Sequence, residues 1–228
     1  MTLYPVLIEV PHDENEPPLQ RMKKQRGYAR RALRRCAELS GAPSNGWSQQ
    51  KGGAPIPNGK FYWSISHTRG LAAAVVAMQP VGIDVERIRE RRVDLFDEVG
   101  RGEEWSLLGG RTWFAFFYLW TAKEAVLKAN SLGIGHLDQC RLIEPDRNAR
   151  SFNKGDPLVS SLLNHPTRSD AQDQRRSESA MVDAFSPCAS KLVFYDATWL
   201  VWHRMMTTDF IAAVATRNPT PIEWTRVF

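Results

Sequence analysis

Short apolar runs separated by polar turns predict a protein that contains many short β-strands. The turns Thr68-Arg69-Gly70 and Gln79-Pro80 separate three consecutive runs, a spacing typical of an antiparallel meander. The predicted strands cover residues 3–10, 61–67, 71–78, 81–86, 137–144, 191–201 and 209–216.

Two segments have helical spacing instead. In residues 21–39 the apolar positions recur every three or four residues, and Gly41 and Pro43 then end the pattern. Residues 113–130 contain neither proline nor glycine and predict a second long helix. Residues 87–112 are charged and mostly helical in pattern.

Residues 146–190 differ in composition from the rest of the chain. They are rich in Ser, Asp, Arg, Asn and Gln, and we expect a long, partly disordered loop. Residues 70–80 and 209–219 resemble each other, since each has a small apolar strand, two polar residues and a proline. Either the two halves have related folds, or two buried strands are alike by composition.

Charge and cysteine content exclude several classes of protein. The start of the chain lacks a basic stretch before a long apolar one, and no apolar run reaches the ~20 residues of a membrane helix. The three cysteines form no CxxC pair, so we expect neither a zinc site nor disulfide bonds. Reduced cysteines favour a cytoplasmic location. The formal net charge of +5 favours a polyanionic partner: nucleic acid, an acidic protein or a phosphorylated cofactor.

The run Gly82-Ile83-Asp84-Val85-Glu86 is the first candidate for chemistry. Side chains alternate along a strand, so Asp84 and Glu86 lie side by side and Gly82 leaves space beside them. Paired carboxylates suit Mg²⁺, which commonly bridges protein and phosphate oxygens. The alternative is a pair of exposed acids neutralised by Arg87 and Arg89.

The helix at 113–130 carries the second candidate. Trp120, Glu124 and Lys128 recur every four residues and so share one stripe beside an apolar face. A charge at such a position is costly without a partner. The alternative is an exposed Glu124–Lys128 ion pair of small energetic value.

Two further patterns are compatible with phosphate binding. In Ser64-Ile65-Ser66-His67-Thr68-Arg69-Gly70, a histidine and an arginine flank a predicted strand end. The segment Arg21–Arg35 contains eight basic residues and no acid, and guanidinium groups match phosphate geometry well. A structural histidine and a solvated helix face are the respective alternatives.

Taken together and in order, these motifs resemble the 4′-phosphopantetheinyl transferase superfamily, in particular its monomeric type. The resemblance rests on a Ser-His motif, a Gly-x-Asp-x-Glu motif and the Trp-x-x-Lys-Glu-x-x-x-Lys motif WTAKEAVLK. It is closest over residues 61–135. One departure is Gly53-Ala54-Pro55, where the family often has Gly-Lys-Pro.

The resemblance implies an α+β fold of two similar subdomains, each a small antiparallel sheet packed with a long helix. We place these subdomains at residues 1–86 and 87–228. It also implies a reaction, in which the phosphopantetheine of coenzyme A moves to a serine of an apo acyl or peptidyl carrier protein. Coenzyme A and the carrier are then the partners, without nucleic acid or membrane, and the protein is expected to be a monomer.

Residue roles follow from the same resemblance. Asp84, Glu86 and Glu124 would hold Mg²⁺, and Glu124 would also be the base for the carrier serine. Lys128 would stabilise charge on the pyrophosphate and the leaving nucleotide. The predicted coenzyme A contacts are Arg26, Arg30, Arg31, Ser66, His67, Asp84 and Lys128. Two other hypotheses are a Mg²⁺-dependent phosphohydrolase, which would not need the arginine helix, and a basic nucleic-acid-binding module, which leaves the three acids unexplained.

Overall fold

The computed structural model describes residues 1–11, 13, 15–146, 189–207 and 209–227. The predicted loop at 146–190 therefore lies almost entirely outside the described residues. The fold is α+β, as predicted, with two sheets that are mainly antiparallel. In chain order the elements are β1 (Val6–Glu9), α1 (Pro18–Leu39), β2 (Tyr62–Thr68), β3 (Leu71–Ala77), β4 (Val81–Arg87), α2 (Leu95–Val99), α3 (Gly102–Leu107), α4 (Trp113–Ala129), a 3-10 helix (Ile134–Gln139), β5 (Cys140–Glu144), β6 (Ser190–Phe194), β7 (Ala197–Thr207), β8 (Phe210–Thr216) and β9 (Thr225–Val227).

The first sheet has the strand order β2-β3-β1-β9 and packs against α1. Its pairings are antiparallel except for β1 and β9, which run parallel. The buried face of α1 is lined by small side chains such as Ala29, Ala32 and Cys36, which allow close packing on the sheet. The predicted helix at 21–39 is thus confirmed and begins three residues earlier.

The second sheet has the order β4-β8-β7-β6-β5, is antiparallel throughout and packs against α4. The Thr112 hydroxyl accepts a hydrogen bond from the Ala115 amide (3.1 Å) and caps the start of α4. From Ala115 to Lys128 the side chains of α4 are buried except Trp120, Glu124 and Lys128. The predicted stripe is therefore confirmed.

The two sheets meet where β2 packs against β4. The Ser64 hydroxyl accepts a hydrogen bond from the Ile83 amide (3.2 Å), and the Ser66 hydroxyl accepts one from the Val85 amide (3.4 Å). β4 is an edge strand, so these hydroxyls satisfy amides that no neighbouring strand pairs. An apolar core lies behind this junction, between the sheets, and includes Leu7, Val75, Ile83, Val85 and Val214.

Three strand predictions need correction. The hairpin β2–β3 is confirmed, but the predicted meander is wrong at its third strand, because β4 pairs with β8 in the other sheet. The predicted strand at 191–201 is a hairpin, since the chain turns at Tyr195 (φ 49°) between β6 and β7. The predicted strand at 137–144 begins only at Cys140, because the residues before it belong to the 3-10 helix, and the short strand β9 was not predicted.

Each sheet carries one long helix, and the two similar segments form β3 and β8, which are internal strands of different sheets. The boundary at residue 86 stays a prediction, since β4 pairs in the second sheet and the carboxyl-terminal β9 in the first. No helix of the described ranges is long and apolar enough to cross a membrane. Cys36 and Cys140 are buried and free.

Candidate active site

Gly82 allows the backbone of α4 to lie directly against β4. A Cβ atom at Gly82 would be 1.8 Å from the carbonyl oxygen of Ala125, so no larger residue fits without displacing the helix. Asp84 and Glu86 follow on the same face of the strand. This close approach brings Lys128, one turn after Glu124 on α4, to Asp84.

Asp84 is 3% exposed and holds the centre of the site. Its Oδ1 accepts hydrogen bonds from Lys128 Nζ (2.6 Å) and from Ser66 Oγ (2.8 Å). Lys128 Nζ also donates to Ser66 Oγ (3.0 Å). Neither alternative reading of the acids is correct, because Asp84 is not an exposed acid and Lys128 pairs with Asp84.

Asp84, Glu86 and Glu124 repel one another electrostatically. Burial and the charge of Asp84 raise the pKa of Glu86 to about 7, and the same two causes raise the pKa of Glu124. Within the described ranges, Asp84 Oδ2 and Glu124 Oε1 are buried without a hydrogen-bond partner. Two orphaned carboxylate oxygens among repelling acids fit a hard cation. The described residues nevertheless contain no three His, Cys, Asp or Glu groups arranged to hold a metal ion.

Two cations, Arg26 and Lys128, act on His67 near these acids, and we call Arg26, His67 and Lys128 the Lys128 cluster. His67 follows Ser66 on β2 and therefore faces the opposite side of the strand. Burial, then Lys128, then Arg26 lower the pKa of His67, while Asp84 opposes this effect. Burial is thus the main cause of the shift, and the two cations that add to it are of the kind that anion-binding sites use.

The other two arginines predicted to bind coenzyme A are placed differently. Arg30 donates to the carbonyl of Trp47 (2.9 Å) and to Gln49 Oε1 (2.6 Å), and burial lowers its pKa. Gln49 in turn donates to the carbonyl of Gly53 (2.6 Å), at the segment where the family often has lysine. Arg31 is exposed with its guanidinium group 5.7 Å from the Tyr28 ring centroid.

Lys123, in the Lys-Glu pair of the third motif, has a role that the sequence did not indicate. Its side chain is 2% exposed, lies 2.9 Å from Glu104 and donates to the carbonyl of Val99 (2.8 Å). Glu104 also accepts a hydrogen bond from the Leu142 amide (2.8 Å). The pair therefore ties α4 to α3 and β5. The sequence signal that could have indicated a buried ion pair is the position of this lysine among apolar residues of the helix.

Sequence comparisons agree with this site. The family model for the 4′-phosphopantetheinyl transferase superfamily matches residues 80–180, which contain Asp84, Glu86, Glu124 and Lys128. The chain is also 30% identical over 86 residues to a protein of Aneurinibacillus migulanus named 4′-phosphopantetheinyl transferase gsp. That alignment spans 36% of this chain and 36% of the relative. The comparisons thus confirm the resemblance of this chain to the 4′-phosphopantetheinyl transferase superfamily, and the family match covers both acidic motifs.

Proposed function

We propose that this protein transfers the 4′-phosphopantetheine group of coenzyme A to a serine of an apo acyl or peptidyl carrier protein. The observation that carries the proposal is the ion pair between buried Asp84 and partly exposed Lys128, with Glu86, Glu124 and His67 near it. Acids and cations in one site suit a reaction whose catalysis is mainly positioning and charge neutralisation. The family match over residues 80–180 supports the same reaction.

In the proposed reaction, the serine hydroxyl attacks the phosphorus that bears the pantetheine. The bond from this phosphorus to the bridging oxygen breaks, and adenosine 3′,5′-bisphosphate leaves. Glu124 takes the serine proton, for which its Oε1 is available because it has no partner among the described residues. Lys128 stabilises the charge that develops on the leaving nucleotide.

The other residues bind and orient coenzyme A. His67 contacts the nucleotide phosphates, and Arg30 and Arg31, together with Arg26, bind the 3′-phosphate, for which Arg30 is held in place by its contacts to Trp47 and Gln49. Ser66 contributes through the two side chains that its hydroxyl contacts, Asp84 and Lys128.

We also propose that Mg²⁺ binds here, held by Asp84, Glu86 and Glu124. Their carboxylates are the ligand type that this ion prefers, and among the described residues Asp84 Oδ2 has no hydrogen-bond partner. When bound, the ion would neutralise and orient the pyrophosphate. The same proposal includes that the protein is a monomer and that it lies in the cytoplasm.

Intact-mass spectrometry tests the function. Apo carrier proteins are incubated with the protein, coenzyme A and Mg²⁺, and the carrier should gain the mass of one phosphopantetheine. EDTA should abolish the gain. Loss of coenzyme A without any gain on the carrier would support the phosphohydrolase hypothesis instead, and unchanged carrier with unchanged coenzyme A would contradict both.

A further inference from the structure

Four arginines converge at the carboxyl end of β4, on elements that are distant in sequence. We call Arg69, Arg87, Arg89 and Arg91 the Arg89 cluster. Arg69 lies in the turn after β2, and the other three alternate along the end of β4 and the segment that follows. None of them belongs to the proposed coenzyme A contacts.

Contacts among three segments hold this region together. Thr68 Oγ1 donates to Glu86 Oε2 (3.4 Å), which joins the turn after β2 to the end of β4. The Ile88 amide donates to the carbonyl of Asp209 (2.6 Å), and Arg87 lies 3.2 Å from the Asp209 carboxylate. These contacts thus fix the position of the chain at Arg87 and Ile88, just before Arg89 and Arg91.

The guanidinium groups are close enough to repel one another. Partial burial and the charges of Arg91, Arg87 and Arg69 lower the pKa of Arg89, whereas Glu86 opposes them. Arg89 and Arg91 are exposed, and in the described part of the chain neither forms an ion pair with a carboxylate. An external carboxylate would relieve this repulsion.

The Arg89 cluster and the Lys128 cluster consist of different cations and share Glu86 as a neighbour, since Lys128 and Arg91 both oppose the rise of the Glu86 pKa. The cations that shift the pKa of His67 are Lys128 and Arg26, whereas those that shift the pKa of Arg89 belong to its own cluster. Glu86 adjoins the Arg89 cluster, and Asp84 contacts Lys128. Attacking and leaving oxygens lie roughly in line in phosphoryl transfer, so the acceptor needs a surface other than the one that holds the leaving nucleotide.

We infer that Arg89 and Arg91, with Arg69 and Arg87 behind them, form the docking surface for an acidic segment of the acceptor carrier protein. This inference rests on the proposed function. Guanidinium groups can pair with carboxylates in bidentate fashion, and exposed charges of one sign speed the encounter with an oppositely charged protein. The surface lies beside Glu86, so a docked acceptor would present its serine to the acids.

The charge-reversed protein Arg89→Glu/Arg91→Glu tests this inference. Its matched control is Arg111→Glu/Arg217→Glu, which reverses two exposed arginines outside both clusters and outside the segment Arg21–Arg35. Transfer kinetics are measured with coenzyme A and an apo carrier protein that has acids beside its modified serine. We expect the KM for the carrier to rise about tenfold or more and to lose much of its salt dependence, with the KM for coenzyme A within about twofold of wild type.

Each other outcome is decisive. A raised KM for coenzyme A with an unchanged KM for the carrier would reassign the cluster to phosphate binding. An equal rise of the KM for the carrier in the control protein would show that net charge causes the effect, and would overturn the docking surface. An unchanged KM for the carrier, with wild-type transfer intact, would overturn the docking surface alone, whereas absence of transfer by the wild-type protein would overturn the proposed function as well.

Discussion

Asp84 combines two conditions in one carboxylate. One oxygen accepts hydrogen bonds from Lys128 and Ser66, while the other is buried without a partner among the described residues. A buried oxygen left without a partner is costly, and such sites often mark a function. The proposed reaction explains why this oxygen has no partner among the described residues, because it would contact a cation bound to the phosphates of coenzyme A.

Asp84→Asn should abolish transfer while leaving the fold intact. The amide retains the size of the side chain and one acceptor oxygen for Lys128 or Ser66, but removes the negative charge. Lys128 remains 28% exposed at its side chain, so water can solvate it. We expect the rate of transfer to fall by about a hundredfold or more and the thermal midpoint to change by only a few degrees.

Activity is measured by carrier mass gain and folding by circular dichroism during heating. Lys128→Met, which removes the partner charge, is the companion variant and should also lose activity. A broad, non-cooperative melt of Asp84→Asn would show instead that Asp84 is needed for folding.

Much of the site was predictable at the level of elements. The spacing of Gly82, Asp84 and Glu86 predicted one face of a strand, and that of Trp120, Glu124 and Lys128 one stripe of a helix. Both patterns depend on local periodicity, which a single sequence displays. The partner of Lys128 was not predictable in the same way, because local spacing favours Glu124 whereas packing of α4 on β4 provides Asp84.

The pairing of β4 was also outside the reach of local patterns. Its apolar residues and the short turn before it fit a third strand of the β2–β3 hairpin equally well. The choice of sheet depends on β8, which lies more than a hundred residues later in the chain, and on Ser64 and Ser66, whose hydroxyls satisfy the edge amides of β4. Such long-range contacts leave no periodic signal.

The Lys123–Glu104 pair should fix α4 against α3 and β5. Lys123→Met leaves Glu104 buried without its cation, and we expect the free energy of unfolding to fall by about 3–5 kcal/mol. Lys123→Met/Glu104→Gln should recover much of this loss, because the amide oxygen can still accept from the Leu142 amide. Urea unfolding of both variants measures the effect.

The single variant Glu104→Gln completes a double-mutant cycle. A loss below about 1 kcal/mol for Lys123→Met would place the pair with exposed ion pairs of little value and contradict its role in holding α4.

At the scale of the whole molecule, the two sheets are interdependent. β4 comes from the first half of the chain and completes the second sheet, and β9 returns from the carboxyl-terminal end to pair with β1. The candidate site lies at the β2–β4 junction, so both sheets contribute residues to it, each together with the helix that packs on it. The repeat of a small apolar strand indicated two similar units, but not this exchange of strands.

Global stability should depend on pH through His203, which is buried in β7 far from the acids of the site in sequence. Its ring stacks on Tyr118 with centroids 3.7 Å apart, and Nε2 lies 3.0 Å from the Tyr118 carbonyl oxygen. Tyr118 in turn donates to Asp146 (2.8 Å). Burial lowers the pKa of His203 to about 4 from an ordinary value of 6.5, although Asp146 opposes the shift.

The direction of the pH effect follows from these two values. Below pH 6.5 the unfolded chain binds a proton at His203 that the folded protein does not bind until the pH approaches 4. The free energy of unfolding should therefore fall as the pH drops through this window, by about 3 kcal/mol from this group, and this loss should level off below it. Urea unfolding at intervals from pH 7.5 to about 4 measures the wild type against His203→Gln, whose amide can still donate to the Tyr118 carbonyl. The difference between the two proteins isolates His203 from the other groups that titrate in the window, and parallel curves for the two proteins would show that its protonation is not linked to folding.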